Sequence, residues 1–357
     1  MNYTPASVKN VALSVLDAYG CDPHEARVVA DHLVDANLAG HDSHGIGMLP
    51  LYGENVLAGH LVPNQVPELY PPIGAITTVD AKRGFGHRMA LLALDHAMKT
   101  VDEHKVAILG MRNSGHVSRL GAYSEYCASK GYVSFHMVNV TGHAPLVAPY
   151  GAKETGFSTN PISIGFPDAD GAVHPMLDMA TSTIAFGKVR VANNKGEQVP
   201  PGSLLDADGI ETRDPAKMAE ERIGALAAFG GHKGSGLGIF IELLTGALAG
   251  TGTVAEQEGL PYTVINTMFS VIIDPTAFDD VTAIQARVDT YYHYIKSRAP
   301  AKGTSEVLMP GDPENISRAE RNRNGIPVDD ETLNQIFDIG SQFGLNADKL
   351  RAQLVIA

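Results

Sequence analysis

From Asp22 onward, apolar residues return at helical intervals. Val28, Val29, Leu33, Ala36 and Leu38, with His32 in the same stripe, mark one face of a helix. Asp22-Pro23-His24-Glu25 supplies the start: an Asp cap, Pro in the first position and Glu three residues after the cap. Gly40 stops it. Helical spacing covers residues 5–60, and the proline-rich stretch from Pro63 to Pro72 marks a boundary. Beyond it the period shortens. Ile76–Asp80 is a short β-branched strand, a helix spans 88–103, and Val106–Gly110 is a second strand. A helix at 122–130 and a strand at 133–138 follow, with further strands at 161–166, 175–178 and 264–273. Helices return at 282–297, 316–323, 330–343 and 347–354. Alternation of this kind predicts a mixed α/β body. Helical ends around an α/β middle predict two domains: residues 1–72 plus 282–357, and residues 73–281.

Composition narrows the partners. Hydrophobic residues make 44% and charged residues 19% of the 357-residue chain, ordinary values for a globular protein. Lys and Arg number 27 against 40 Asp and Glu, a net charge of −13, which argues against nucleic acid or an anionic membrane as partner. Cys21 and Cys127 are the only cysteines, too few for a disulfide framework or a thiolate metal cluster. The start, Met1-Asn2-Tyr3-Thr4-Pro5, lacks the regions of a signal peptide. No run reaches the roughly 18 apolar residues of a membrane span. The chain reads as a soluble, cytoplasmic protein.

Candidate chemistry concentrates in glycine-flanked bends. Gly40-His41-Asp42-Ser43-His44-Gly45 gathers groups suited to proton transfer near neutral pH, although the same residues suit a solvated polar loop. Asn113-Ser114-Gly115-His116 puts another histidine after a strand, and Leu177-Asp178-Met179-Ala180-Thr181-Ser182 puts an acid and hydroxyls at a strand end. Gly84-Phe85-Gly86 is followed by Met89 where a dinucleotide fingerprint has glycine, so a Rossmann domain is not expected. Gly230 to Gly238, carrying His232 and Lys233, leads into an apolar helix. Its free N–H groups suit a phosphate, though its small residues also suit close helix packing. His41, His44 and His116 could serve a metal, yet the glycines around them argue against a helical zinc motif. Ser43 and His44 are adjacent and lack a nucleophile elbow.

Six segments, taken in order, resemble the malate/L-lactate dehydrogenase family, whose cofactor fold is not Rossmann-like. They are Asp42–Gly45, Asn113–His116, Thr159-Asn160-Pro161, Leu177–Ser182, His232-Lys233-Gly234 and Pro310-Gly311-Asp312, and they run along nearly the whole chain. The stretch from Ala36 to Met48 is similar to a hydroxycarboxylate dehydrogenase branch that reduces 2-oxo acids, aryl pyruvates included, with a nicotinamide cofactor. The resemblance implies a homodimer with a helical domain from both chain ends and a central α/β domain that binds NAD or NADP. It implies His44 or His116 as proton carrier. Cofactor contacts would come from His44, Ser118, Arg119, Leu120, Asp178, Met179, Ala180, Thr181, Ser182, His232, Lys233, Asn266, Gly311, Asp312, Pro313 and Glu314. Ser43, Met48, Tyr52 and His143 would face the substrate, and no metal is implied. Many relatives carry arginine where this chain has Met48, so a bidentate carboxylate clamp is missing there. Arg119, Arg190 and His143 remain candidates for that task. The expected activity is an NAD(P)-dependent interconversion of 2-oxo and 2-hydroxy acids, favouring aryl or apolar 2-oxo acids. The alternatives are a malate- or lactate-type enzyme for small substrates, a metal-dependent hydrolase and a binding protein without turnover.

Overall fold

Side-chain caps set the first helices. After a two-residue strand β1 (Asn2–Tyr3), Thr4 caps α1 (Pro5–Ala18). Asp22 caps α2 (Pro23–Leu38) by accepting from the N–H groups of His24 and Glu25, as the sequence predicts. Gly40, at φ 85°, turns the chain out of α2. Two 3₁₀ turns, Asp42–His44 and Ile46–Met48, then lead into α3 (Leu49–Leu57). The computed structural model describes residues 1–168, 173–256 and 263–357.

Strands β2 (Glu68–Leu69) and β3 (Ile76–Asp80) follow the proline-rich connector, and α4 (Gly86–His104) carries the chain to β4 (Val106–Ser114). Next come α5 (Gly121–Ala128), β5 (Val133–Thr141), β6 (Ile162–Pro167), β7 (Val173–Met179) and α6 (Phe186–Lys195). A small three-stranded sheet holds β8 (Leu204–Leu205), β9 (Glu211–Thr212) and β10 (Ala225–Leu226), with α7 (Ala216–Ala219) between the last two. Helix α8 (His232–Glu242) runs into a π-helical stretch, Leu243–Ala249, before β11 (Ile265–Ile273). The chain ends with α9 (Val281–Lys296), α10 (Asp312–Asn324), β12 (Ile326–Pro327), α11 (Asp330–Gln342) and α12 (Ala347–Arg351).

The main sheet has the order β2-β3-β4-β11-β5-β6-β7. Strands β3 and β4 run parallel across α4, while the other neighbouring pairs among the described residues are antiparallel. A doubly wound nucleotide fold needs a series of parallel strands with a switch in strand order. This mixed α/β sheet has one βαβ unit, so its topology is not of that kind. Strand β4 runs four residues beyond the expected end at Gly110, because β11 keeps pairing with it as far as Asn266 opposite Ser114.

Three apolar clusters hold these layers. The first combines both chain ends: Val8, Val15, Val29, Leu33 and Leu49 pack with Ile326, Leu333, Ile336 and Leu350. Its C-terminal share begins at Ile326, and neither α9 nor α10 contributes a buried residue. The second seats α4 and α5 on the sheet. Ala90, Leu94, Ala97 and Val101 recur every three or four residues and, with Met89 and Ala93 beside them, meet Leu109, Met111, Met268 and Ile272. A smaller third cluster around Val147, Phe157, Val189, Leu204 and Leu226 was not separated by the sequence pattern. The termini are stitched together: β1 pairs with β12, and Thr4 N–H donates to the Val355 carbonyl at 2.8 Å.

Leu94 is fully buried between α4 and the sheet. Leu94→Ala should cost about 2–5 kcal/mol in chemical denaturation, the range for a leucine cavity that closes only in part.

Candidate active site

The loop after α2 is held from both sides. Asn37, in the last turn of α2, donates to Asp42 Oδ1 at 2.7 Å and accepts from Ile46 N–H at 2.9 Å. Arg321 of α10 grips the same carboxylate with two bonds, 2.6 and 3.0 Å. Gly45 is required where the loop crosses Asn37, since a Cβ there would lie 2.2 Å from the Asn37 Oδ1. Asp42 is therefore a structural latch and not part of a proton-handling group. His41 is likewise engaged, 3.2 Å from Glu314. What the loop presents is the pair Ser43 and His44, with the Ser43 Oγ 3.0 Å from His44 Nδ1.

His116 reaches the same place from the sheet. Beyond β4 the chain passes over the start of α4 so closely that a Cβ on Gly86 would lie 2.4 Å from the His116 carbonyl. Asn266 of β11 holds the segment, accepting from Val117 N–H and donating to the Asn139 carbonyl, each at 2.9 Å. Ser118, at φ 61°, donates to the His44 carbonyl at 2.8 Å and ties the two segments together. The His44 and His116 rings stack, 5.6 Å between centroids and 20° from parallel. Tyr52 of α3 approaches His116 Nδ1 to 2.8 Å. A small cavity opens beside this ring, walled by Leu51, Tyr52, Asn55, Leu61 and Val264. Met48 lies one turn before Leu51 and Tyr52 and leans partly on the first core.

Burial keeps these histidines neutral. His44 is pushed down to about 4 by burial, and the His41 and Arg119 charges act in the same direction. His116 is driven well below the usual histidine range by burial and then by His44, His87 and His143. His143 follows β5, bonds the Ala144 carbonyl at 2.7 Å and is lowered by burial.

The remaining expected residues border this loop pair in two groups. In the first, Asp178 accepts from Gly121 N–H at 2.8 Å, and burial raises its carboxyl against the pull of His41 and Arg119. Met179 ends β7, Ala180 follows half-buried, and Met176 N–H bonds the Pro310 carbonyl, drawing in the turn that starts α10. Gly311, at φ 97°, begins that helix ahead of Pro313. Asp312 there binds Lys296 at 2.9 Å, and Glu314 meets His41. In the second group, Thr181 accepts through its carbonyl from Phe229 N–H and Ser182 bonds Ile184, linking this segment to the turn before α8. His232 and Lys233 are exposed at that helix start, which no side chain caps. Leu120 is buried in the second core.

Arg119 departs from expectation. Its side chain is 0% exposed and bonds Asp35 and Glu125 at 2.6 and 2.5 Å. It cannot reach out to clamp a substrate carboxylate. Arg190 is exposed on α6, whose Gly187 abuts Ser43 so closely that a Cβ there would lie 2.8 Å from the Ser43 Cβ. No group of three or more His, Cys, Asp or Glu side chains able to hold a metal occurs among the described residues. The stacked His44 and His116 rings also do not converge on one point. Sequence reasoning missed Asp35, Arg318 and Arg321, whose partners lie too far along the chain for spacing to reveal, and Asn37 and Glu125, whose nearer partners, five to nine residues off, lie across turns rather than on one helix face.

Comparison with known proteins agrees with this geometry. A family model described as malate/L-lactate dehydrogenase matches residues 3–337. Hydroxycarboxylate dehydrogenase B of Escherichia coli K12 is 40% identical over 342 residues, 95% of this chain and 93% of that protein. L-lactate dehydrogenase of Cupriavidus necator is 35% identical over 321 residues, covering 90% and 92%. Among solved structures, sulfolactate dehydrogenase from Methanocaldococcus jannaschii has a TM-score of 0.83 at 32% identity, covering 98% and 99%. A protein of malate/lactate dehydrogenase type from E. coli has a TM-score of 0.93 at 38% identity, covering 99% and 98%.

Buried neutral histidines make stability depend on pH. His136, with its ring between Ser134 and Ser270 inside the sheet, is lowered to about 3 by burial, and His87 lies well below its usual range for the same reason. A histidine lowered by folding stabilises fully above its unfolded pKa of about 6.5 and loses that contribution as pH falls. Each should cost roughly 2 kcal/mol between pH 7 and 5. Asp35 and Glu314, which are lowered carboxylates, lose theirs only in more acid solution. Denaturation midpoints should therefore fall steeply between pH 6.5 and 5. His136→Gln should flatten that slope, and a flat wild-type curve would contradict the assignment.

Proposed function

As the chain belongs to the malate/L-lactate dehydrogenase family, we propose that it is an NAD(P)-dependent oxidoreductase that interconverts 2-oxo and 2-hydroxy acids and favours aryl or apolar 2-oxo acids. One observation carries this reading: a histidine held by Tyr52 faces a cavity with an apolar wall of Leu51, Leu61 and Val264. His116 is the proton carrier. Its Nδ1 is occupied by Tyr52, no other hydrogen bond holds the ring among the described residues, and the ring is half-buried beside the cavity. In oxidation it takes the proton of the substrate hydroxyl, and in reduction it returns one to the carbonyl oxygen. His44 stacks on it and, with Ser43, shields it from water.

The site fits a nicotinamide cofactor. Arg119 Nη1 and Nε are buried without a partner, and Nη1 lies 4.0 Å from Asp178. A Cβ at Gly121 would strike both groups at 2.7 Å, so only glycine fits against this buried pair. The positive end of α8, with Lys233 exposed there, suits a pyrophosphate, while its Gly234 and Ser235 N–H groups already donate to the Phe229 and Gly231 carbonyls. Ser118, Leu120, Met179 to Ser182, Asn266 and Gly311 to Glu314 would border it. When bound, the cofactor supplies or accepts the hydride at substrate C2. Arg190 is the carboxylate partner in this reading, with His143 beside His116 as a neutral donor.

An uncovered apolar face supports the homodimer. Ile239 and Phe240 on α8 and Leu243 just after it are 40, 66 and 47% exposed, and α9 buries none of its residues. Ile239, Phe240 and Leu243, within one helical turn of each other, form an exposed apolar stripe of the kind that self-association covers. No described helix is long and apolar enough to cross a membrane, and a cytoplasmic location fits this reading.

Two experiments test these points. First, kcat/KM should be higher for phenylpyruvate than for oxaloacetate with either NADH or NADPH. Met48→Arg should move the ratio toward oxaloacetate about tenfold or more through charge-assisted bonds, and Arg190→Met should raise KM for both acids. A wild type that prefers oxaloacetate would instead support the small-substrate dehydrogenase. Second, sedimentation should show a dimer in the wild type and a monomer for Phe240→Glu.

A further inference from the structure

A chain of buried rings leads from His116 into the helical layer. The Tyr52 hydroxyl lies 2.8 Å from His116 Nδ1 and 3.5 Å from His87 Nε2. His87 opens the first turn of α4 and is 1% exposed. Its ring meets that of His32, on α2, edge-on at 4.8 Å. The Arg119 backbone lies beside His32 and favours a hydrogen on the nitrogen that faces it. One nitrogen on each inner ring, His87 Nδ1 and His32 Nε2, is buried without a hydrogen-bond partner. The helical pattern placed His32 in a core stripe, and the proton transfer described above uses neither inner histidine.

The polarity of the chain follows from counting hydrogens. A neutral imidazole has one N–H and one lone pair. The Arg119 carbonyl can only accept, so His32 carries its hydrogen on the facing nitrogen and keeps its lone pair on Nε2. That buried lone pair needs a donor. The neighbouring orphan, His87 Nδ1, on the ring 4.8 Å away, provides one through a single water when it carries the His87 hydrogen. His87 Nε2 is then an acceptor, and Tyr52 has one hydrogen to give it. The Tyr52 oxygen is left to accept from His116 Nδ1–H. The reverse polarity would set two buried lone pairs, on His87 and His32, side by side with no hydrogen between them.

We propose that His87 and His32 are positioning residues that act through Tyr52 to hold His116 in its Nδ1–H tautomer, with an unprotonated Nε2 toward the substrate hydroxyl. Oxidation then moves one proton from that hydroxyl to Nε2, and reduction returns it to the carbonyl oxygen, leaving the same tautomer in place. The ionisable neighbours do not reverse this order. His44 and His143 face His116, Tyr123 lies beside Tyr52 and His32, and Arg119 lies beside His32. Burial is the leading effect at His32, His87 and His116 and keeps each ring uncharged. The catalytic part of the proposal rests on the dehydrogenase reading, but the tautomer itself does not.

The test begins with the unmodified protein. Nitrogen NMR of ¹⁵N-histidine-labelled chain without substrate, with His116 assigned by signal loss in His116→Asn, should show a protonated Nδ1 and a bare Nε2. His87→Phe should release the tautomer and lower kcat for 2-hydroxy acid oxidation about 100-fold, the lower end of what an acid–base group contributes, with KM changed less than about threefold. His87→Gln keeps an acceptor for Tyr52 and a donor toward His32, so it should retain the tautomer and most of the turnover. An Nε2–H tautomer in the wild type overturns the proposal. So does a folded His87→Phe that keeps both tautomer and kcat, or a folded His87→Gln that loses both. Should the chain oxidise no 2-hydroxy acid, the functional reading fails, while the wild-type tautomer still decides this one.

Discussion

The guanidinium of Arg119 is the charge around which the rest is arranged. A buried cation is tolerable only when it is paired and hydrogen-bonded. Asp35 of α2 and Glu125 of α5 meet that demand, and Arg318 of α10 contacts both carboxylates from the other side. Three helices of distant sequence are thus committed to one point. The segment carrying His116 and Ser118 runs through it. Displacing any partner would leave an uncompensated charge in the interior, so the site sits at a seam that cannot slide.

Around that seam most charges are already engaged. Asp42 is gripped by Arg321, Glu314 by His41 and Asp312 by Lys296. The groups left for proton exchange are neutral rings whose basicity burial has lowered. Burial keeps these rings unprotonated at neutral pH while weakening them as bases. The apolar wall beside His116 strengthens this effect by keeping the local dielectric low.

How much of this can be read from residues alone depends on the range of the interaction. Asp22, Pro23 and Glu25 declare the start of α2, and the three- and four-residue spacing in α4 declares its buried face, because both are local. The bend at 41–45 and the turn at 113–116 are recognisable from residue type, and the fold brings His44 and His116 into contact. Asp42 was misread because its partner stands 279 residues away along the chain. Arg119 looked available for the same reason. His87 gave no signal at all: one histidine on an amphipathic helix is indistinguishable from a core residue until Tyr52 and His32 are seen beside it. The extra length of β4 depended on β11, which no local pattern could supply.

The stitched termini bear on the order of events during synthesis. The first sixty residues bury their apolar faces against Ile326, Leu333, Ile336 and Leu350, and the loop bearing His44 is latched by Arg321. A ribosome releases α1 and α2 long before those partners exist. The amino-terminal helices therefore wait with their apolar faces open while the central sheet, whose strands are mostly paired with nearer neighbours, can form first. The loop bearing His44 is made well before Arg321, the residue that latches it, exists. Truncated nascent chains lacking the final thirty residues would carry every proposed catalytic side chain and still lack the packing that aligns them.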